Sequence, residues 1–126
     1  MPGTDWLEIA ERHSTAIMSR DAAAFETLYH DDLIVWHSYD RGEQGKAENI
    51  SHLKMFFGMA QEIRYENIRR TGTDKGYVQQ HDFHATLADG TRLAPRPCAL
   101  IVELRDGEMY RIDEYIEARK PASEDS

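Results

Sequence analysis

Near residue 61 the spacing of apolar side chains changes from helical to alternating, which limits this chain to helices first and antiparallel strands afterwards. Over residues 5–19, Trp6, Ile9, Ala10, Ala16 and Ile17 recur at helical intervals, and His13 falls on the same stripe. Asp21 offers an N-cap to a second helix over residues 22–29, with Phe25, Leu28 and Tyr29 on its buried face. A short strand is expected at 33–37, a loop at 38–45, and a third helix at 47–61 carrying Ile50, Leu53, Phe57 and Ala60 in phase. Turn residues around Gly72–Gly76, Asp89-Gly90 and Asp106-Gly107 then divide the rest into strands at 62–71, 77–87, 92–104 and 108–119. Pro95 and Pro97 each lack an amide hydrogen, so the third of these should begin at an edge or a bulge.

The outcome is an α+β domain over residues 1–119 in which helices cover one face of a curved, mostly antiparallel sheet, with a flexible polar tail at 120–126. At 126 residues, 40% hydrophobic and 30% charged, the chain has the size and composition of one soluble domain. A formal charge of −8 counts against nucleic acid and anionic membrane as partners. Residues 1–6 lack a signal-peptide pattern, and no apolar run approaches the roughly 20 residues that span a bilayer, so a cytoplasmic protein is expected.

One acid breaks the pattern of the last strand. Its even positions read Tyr110, Ile112, Glu114 and Ile116, placing a carboxylate on an apolar face, where it must find a partner, keep its proton or mark a cavity. A raised pKa would make Glu114 an acid or base. The even positions of 77–87 read Val78, Gln80, Asp82 and His84. If they turn toward the helices, Asp82 and Glu114 share a concave surface and can divide donor and acceptor roles. The alternative is that Tyr77, Phe83 and Leu87 are buried instead, since a one-residue phase change flips every side chain. His37 ends the face begun by Leu33 and Val35 and supplies an imidazole that titrates near neutrality.

His81 and His84 point to opposite faces of a strand, so they make a poor metal pair, and no metal is expected. Cys98 is the only cysteine, which excludes an internal disulfide, and nothing marks a base beside it. Without a phosphate loop, nucleophile elbow or dinucleotide fingerprint, cofactor-free chemistry is the simplest enzymatic reading.

The run Leu28-Tyr29-His30-Asp31-Asp32 leading into Leu33-Ile34-Val35-Trp36-His37, and the ending Asp106 to Tyr115, resemble the nuclear transport factor 2-like superfamily over almost the whole chain. That resemblance implies a cone-shaped barrel, with three N-terminal helices on the concave face of a strongly curved sheet, and a pocket for a small molecule. It also implies a homodimer formed through the outer sheet face. Compared with limonene-epoxide hydrolase, Glu114 resembles the water-activating aspartate and Asp82 the acid, while Gln80 stands where that family keeps an arginine, and Val35 and His37 replace its tyrosine and asparagine. Compared with ketosteroid isomerase, His37 resembles the base position, His13 the oxyanion-binding tyrosine position and Leu100 the second donor position.

These readings converge on a cofactor-independent acid–base enzyme of isomerase, hydratase or dehydratase, cyclase or lyase type. Glu114 would be its base, Asp82 its acid and His37 a proton carrier or polar clamp. Gln80, His84, His13, Val35, Tyr110, Ile112 and Leu100 would contact a partly apolar substrate. The competing class is a binding or dimerisation domain of the same fold that performs no chemistry.

Overall fold

The structure, a computed structural model, describes residues 5–117. The tail expected at 120–126 and both ends of the expected domain therefore lie outside the described residues. Helix α1, Trp6–Met18, starts where Asp5 accepts hydrogen bonds from the amides of Leu7 (3.0 Å) and Glu8 (3.4 Å). It buries Ile9, Ala10, His13, Ser14, Ala16 and Ile17, the stripe its spacing predicted with one hydroxyl added and with Trp6 only partly covered. The second helix is shorter than expected. Asp21 caps a 3₁₀ turn, Ala22–Ala24, that passes into α2, Phe25–Leu28, and β1 begins at once as Tyr29–His37.

Within the expected loop lies an edge strand, β2, Glu43–Gly45, paired with Ile34, Val35 and Trp36. Helix α3 is Lys46–Met59, and the meander follows as β3 Ala60–Gly72, β4 Gly76–Leu87, β5 Arg96–Arg105 and β6 Glu108–Ile116. Strand β5 starts four residues later than its apolar pattern suggested, directly after Pro95, which has no amide hydrogen to give a ladder.

The sheet order is β2-β1-β6-β5-β4-β3, with every pair antiparallel except β1–β6. This six-stranded sheet is curled but not closed, and α1 and α3 pack over its concave side. Phe25, fully buried, joins the helices to the sheet through ring contacts with Tyr29 (5.2 Å), Phe57 (6.3 Å) and His13 (5.7 Å). Among the described residues no helix is long and apolar enough to cross a membrane.

Two irregularities decide which side chains face inward. In β3 the register shifts between Glu66 and Arg69, where Asn67 adopts a left-handed φ of 55°. Tyr65, opposite Phe83, and Arg70, opposite Gln79, therefore lie on the same face although they are five residues apart. In the β5–β6 pair the register shifts between Glu103 and Leu104, so Met109 is buried while Tyr110 leaves the face of Ile112 and Glu114. Tyr110 instead packs its ring against His30 (5.2 Å) and under Arg105 (3.7 Å), away from the position expected for a substrate contact.

Candidate active site

The parallel pairing of β1 with β6 places His37 directly beside Glu114. Ser38 pins that register. Its amide donates to the Glu114 carbonyl (2.9 Å), and its hydroxyl accepts from the Ile116 amide (2.9 Å) while donating to the Ile116 carbonyl (3.0 Å). His37 Nε2 then lies 3.2 Å from Glu114 Oε1, and the Cys98 thiol donates to Oε2 at 3.6 Å. Val35, Leu100 and Ile112, all nearly sealed from solvent, form the apolar wall around this pair.

Burial pushes the Glu114 carboxyl upward, but the hydrogen bond and charge of His37, with help from Cys98 and His81, outweigh it and hold the pKa below the usual value. The raised value expected from the sequence is therefore corrected. A partner, not a retained proton, resolves the buried acid. Burial likewise works against a charged His37, but the Glu114 hydrogen bond and charge, with Asp40, prevail and raise it. Each partner thus favours the charged form of the other. Glu114 keeps 23% of its side-chain surface, so the carboxyl is not sealed from solvent.

The second carboxylate is elsewhere. On β4 the inward face is the odd one, with Tyr77, Gln79, His81 and Ala85 buried, so Asp82, Gln80 and His84 point outward. Asp82 accepts a hydrogen bond from the Asn67 side chain (2.8 Å), and His84 Nε2 meets Glu66 at 3.1 Å. Gln80 and Asp82 line an open hollow of about 610 Å³ on the outer face together with Asn67, Arg69, Pro97 and Tyr115. The sheet thus separates Asp82 from Glu114, and no shared proton links them.

The phase change brings in groups that the even-face reading omitted. Arg70 donates through Nε to Gln79 Oε1 (2.9 Å) and through Nη2 to the Ser14 hydroxyl (3.1 Å), and Ser14 donates to the same Gln79 oxygen (3.3 Å). The Gln79 amide nitrogen meets His81 Nδ1 at 3.0 Å, and Tyr65 stacks on the His81 ring at 3.7 Å. His81 pairs across the sheet with Cys98, so His81 and Glu114 flank that thiol. Burial lowers the His81 pKa to about 4 against the opposing pull of Glu114 and Asp82, and burial lowers His13 to about 4 in the same way. Both imidazoles are neutral near pH 7.

Among the described residues, His13 Nδ1, the Tyr77 hydroxyl and His81 Nε2 are buried without a hydrogen-bond partner. Leaving one such atom unsatisfied costs about 1–3 kcal/mol, so three in one interior need a reason. The one signal in the sequence was that the odd face of β4 carries Gln79 and His81 among aromatic residues. At the His37 end of the sheet, Tyr39, the exposed His52, Phe56, Phe83 and Arg96 make an aromatic and cationic rim. Among the described residues no cluster of three metal-ligating side chains occurs.

Known proteins share this architecture. A candidate polyketide cyclase from Xanthomonas campestris superposes with a TM-score of 0.76 at 16% identity, covering 87% of this chain and 88% of that one. A protein of ketosteroid isomerase-like fold from Catenulispora acidiphila, in complex with trimethylamine, gives 0.76 at 14% identity over 91% and 88% of the two chains. An epoxide hydrolase of limonene-epoxide hydrolase type from Mycobacterium tuberculosis gives 0.74 at 14% identity over 89% and 82%. No curated protein matches the sequence significantly. Residues 10–112 match the SnoaL-like domain, and the chain therefore belongs to the SnoaL-like family within the nuclear transport factor 2-like superfamily.

Proposed function

We propose that this protein is a cofactor-independent acid–base enzyme acting on a partly apolar small molecule, with Glu114 as its base. The 3.2 Å contact between His37 and Glu114, set in an apolar wall, carries the proposal. A carboxylate kept ionised beside the His37 ring is available to accept a proton from a bound substrate, although its lowered pKa makes it a weaker base than a free carboxylate. The low-dielectric wall strengthens its interaction with the bound substrate. Proton removal from carbon or water is the step common to isomerisation, hydration or dehydration, cyclisation and retro-aldol cleavage. His37 holds the carboxylate in place and returns charge balance as the proton moves.

A panel of small carbonyl, epoxide and phenolic compounds offered to wild type and Glu114→Gln tests this reading. Turnover by wild type that the variant loses supports it, and equal turnover by both removes Glu114 as the base. A binding-only role draws support from the Catenulispora structure, since a carboxylate near Tyr29, Tyr39 and Tyr65 also suits a small alkylammonium ion. Trimethylammonium that binds in calorimetry, with no compound turned over, would favour that alternative. The outer sheet face presents Ile101 and Tyr115, each nearly half exposed, and a homodimer formed there is part of the proposal.

A further inference from the structure

We propose that the Nε2–H of His81 is the hydrogen-bond donor this site aims at a carbonyl oxygen of its substrate, with Arg70, Ser14 and Gln79 as its positioning residues. A chain of donors and acceptors runs from Arg70 and ends at that atom. Arginine has only donors, so Arg70 donates to Gln79 Oε1 (2.9 Å) and to the Ser14 oxygen (3.1 Å). Ser14, having accepted from Arg70, gives its own hydrogen to Gln79 Oε1 (3.3 Å). Two donors on one atom fix it as the amide oxygen, and the other end of the amide must then be nitrogen.

That nitrogen faces His81 Nδ1 at 3.0 Å and has only hydrogens to offer. Nδ1 is therefore the lone-pair nitrogen of a neutral ring, and the ring proton sits on Nε2. Among the described residues that proton has no acceptor, although its nitrogen is buried and His81 is 4% exposed. The Tyr65 ring stacked at 3.7 Å fixes the plane of the imidazole and so the direction of the donor. The β3 bulge at Asn67 is what turns Arg70 inward to begin the chain. Four side chains from three elements thus specify one tautomer, on the same face of the sheet as Glu114.

The ligand chemistry that completes this arrangement is a carbonyl compound with an acidic α-hydrogen. This deepens the proposed function and rests on Glu114 as base. The Glu114 carboxylate takes a proton from the α-carbon, the C–H electron pair becomes a C=C bond, and the carbonyl π pair moves onto oxygen. His81 Nε2–H stabilises the resulting oxyanion, and the reverse flow returns a proton from the Glu114 carboxyl. In D₂O that returned proton is a deuteron, so the step is visible without knowledge of the natural substrate.

Acetophenone labelled with ¹³C at the carbonyl is a suitable probe, with an aromatic ring to match Phe56 and Phe83 at the rim. Its carbonyl resonance should move downfield on binding to wild type, remain near the free value with His81→Phe, which keeps the stack on Tyr65, and recover in part with His81→Gln. Wild type should exchange the methyl hydrogens for deuterium, and His81→Phe should slow that exchange about 10²-fold. No bound signal, a bound signal at the free position, or a shift that survives His81→Phe overturns the assignment. Exchange abolished by Glu114→Gln yet untouched by His81→Phe overturns it while leaving the proposed base intact. A His81-dependent shift without any exchange supports the donor and removes the base. In the wild type alone, ¹⁵N spectra of histidine-labelled protein should show His81 with Nε2 protonated and Nδ1 bare from pH 5 to 9, and the opposite tautomer also overturns the inference.

Discussion

Asn67 donates its side-chain amide to Asp82 across 2.8 Å on the outer face of the sheet, and this bond braces the bulge that turns Arg70 inward. Asp82 is thereby a structural neighbour of the site, not one of its acids. Because the bond is exposed, its loss should cost about 1 kcal/mol. Asp82→Asn, which can still accept from Asn67, should cost less than Asp82→Ala. Urea midpoints for the two variants check this, and a large loss of acetophenone exchange in Asp82→Asn with unchanged stability would sink the structural reading.

Stability should fall as the pH drops from about 6.5 to 4. His13 and His81 are held near 4 in the folded protein against an ordinary 6.5, so the unfolded chain binds the extra protons first. Each contributes a slope of about 1.4 kcal/mol per pH unit across that interval. His37 is raised, so its contribution is complete below 6.5 and fades as the pH climbs through its folded pKa. Glu114 is lowered, and its contribution is present above 4.5 and lost only as the pH falls through its folded value. Two histidines act against acid in the same window where the His37–Glu114 pair is intact, so the net slope follows the two. Thermal midpoints at half-unit steps should peak between pH 6 and 7.5, and His81→Phe should flatten the acid limb by roughly half. An acid limb as steep in the variant as in wild type would mean that His81 does not set it.

How much of this was legible beforehand depends on where the backbone is regular. Glu114, Ile112, Val35 and Leu100 lie in uninterrupted ladders, where alternation alone reports which way a side chain points. Tyr110 and Arg70 lie beyond bulges, and a bulge has no reliable mark in a polar segment such as Tyr65 to Arg70. For β4 both faces carry polar residues. Gln79 is buried with its oxygen satisfied by Arg70 and Ser14, partners that come from β3 and α1, and its nitrogen in turn meets His81. The edge strand β2 was read as loop because three residues with one glycine carry no period. The inner phase of a polar strand is fixed by partners distant in sequence, which a local pattern does not contain.

Two glycines should respond in opposite directions to alanine. At Gly76 an added Cβ would lie 2.2 Å from the carbonyl oxygen of Val102, a backbone atom held in the β4–β5 ladder, so the strands must part. Gly76→Ala should cost about 2 kcal/mol or more. Gly58 lies in α3 with nothing within 4 Å of its Cβ position, and Gly58→Ala should gain about 0.5–1 kcal/mol from helix propensity. Denaturant midpoints measured side by side decide, and equal effects of one sign would contradict the close approach at Gly76.

The proposed homodimer makes a prediction at Ile101, whose side chain leaves the sheet on the face opposite Glu114 and is 45% exposed. Tyr115, 48% exposed, lies on the same outer face and packs against the Trp36 ring at 5.2 Å, extending the apolar surface toward β1. Pairing two copies there buries each Ile101, and a charge at that position would have to be desolvated in the interface. Wild type should scatter light as a dimer at micromolar concentration, whereas Ile101→Glu should scatter as a monomer with its thermal midpoint measured at the same protein concentration. The interior carboxylate is on the other side of the sheet, so the monomeric variant should keep acetophenone exchange within a few fold of wild type. A wild type that runs as a monomer rejects the interface, and a dimer that survives Ile101→Glu places it elsewhere on the molecule.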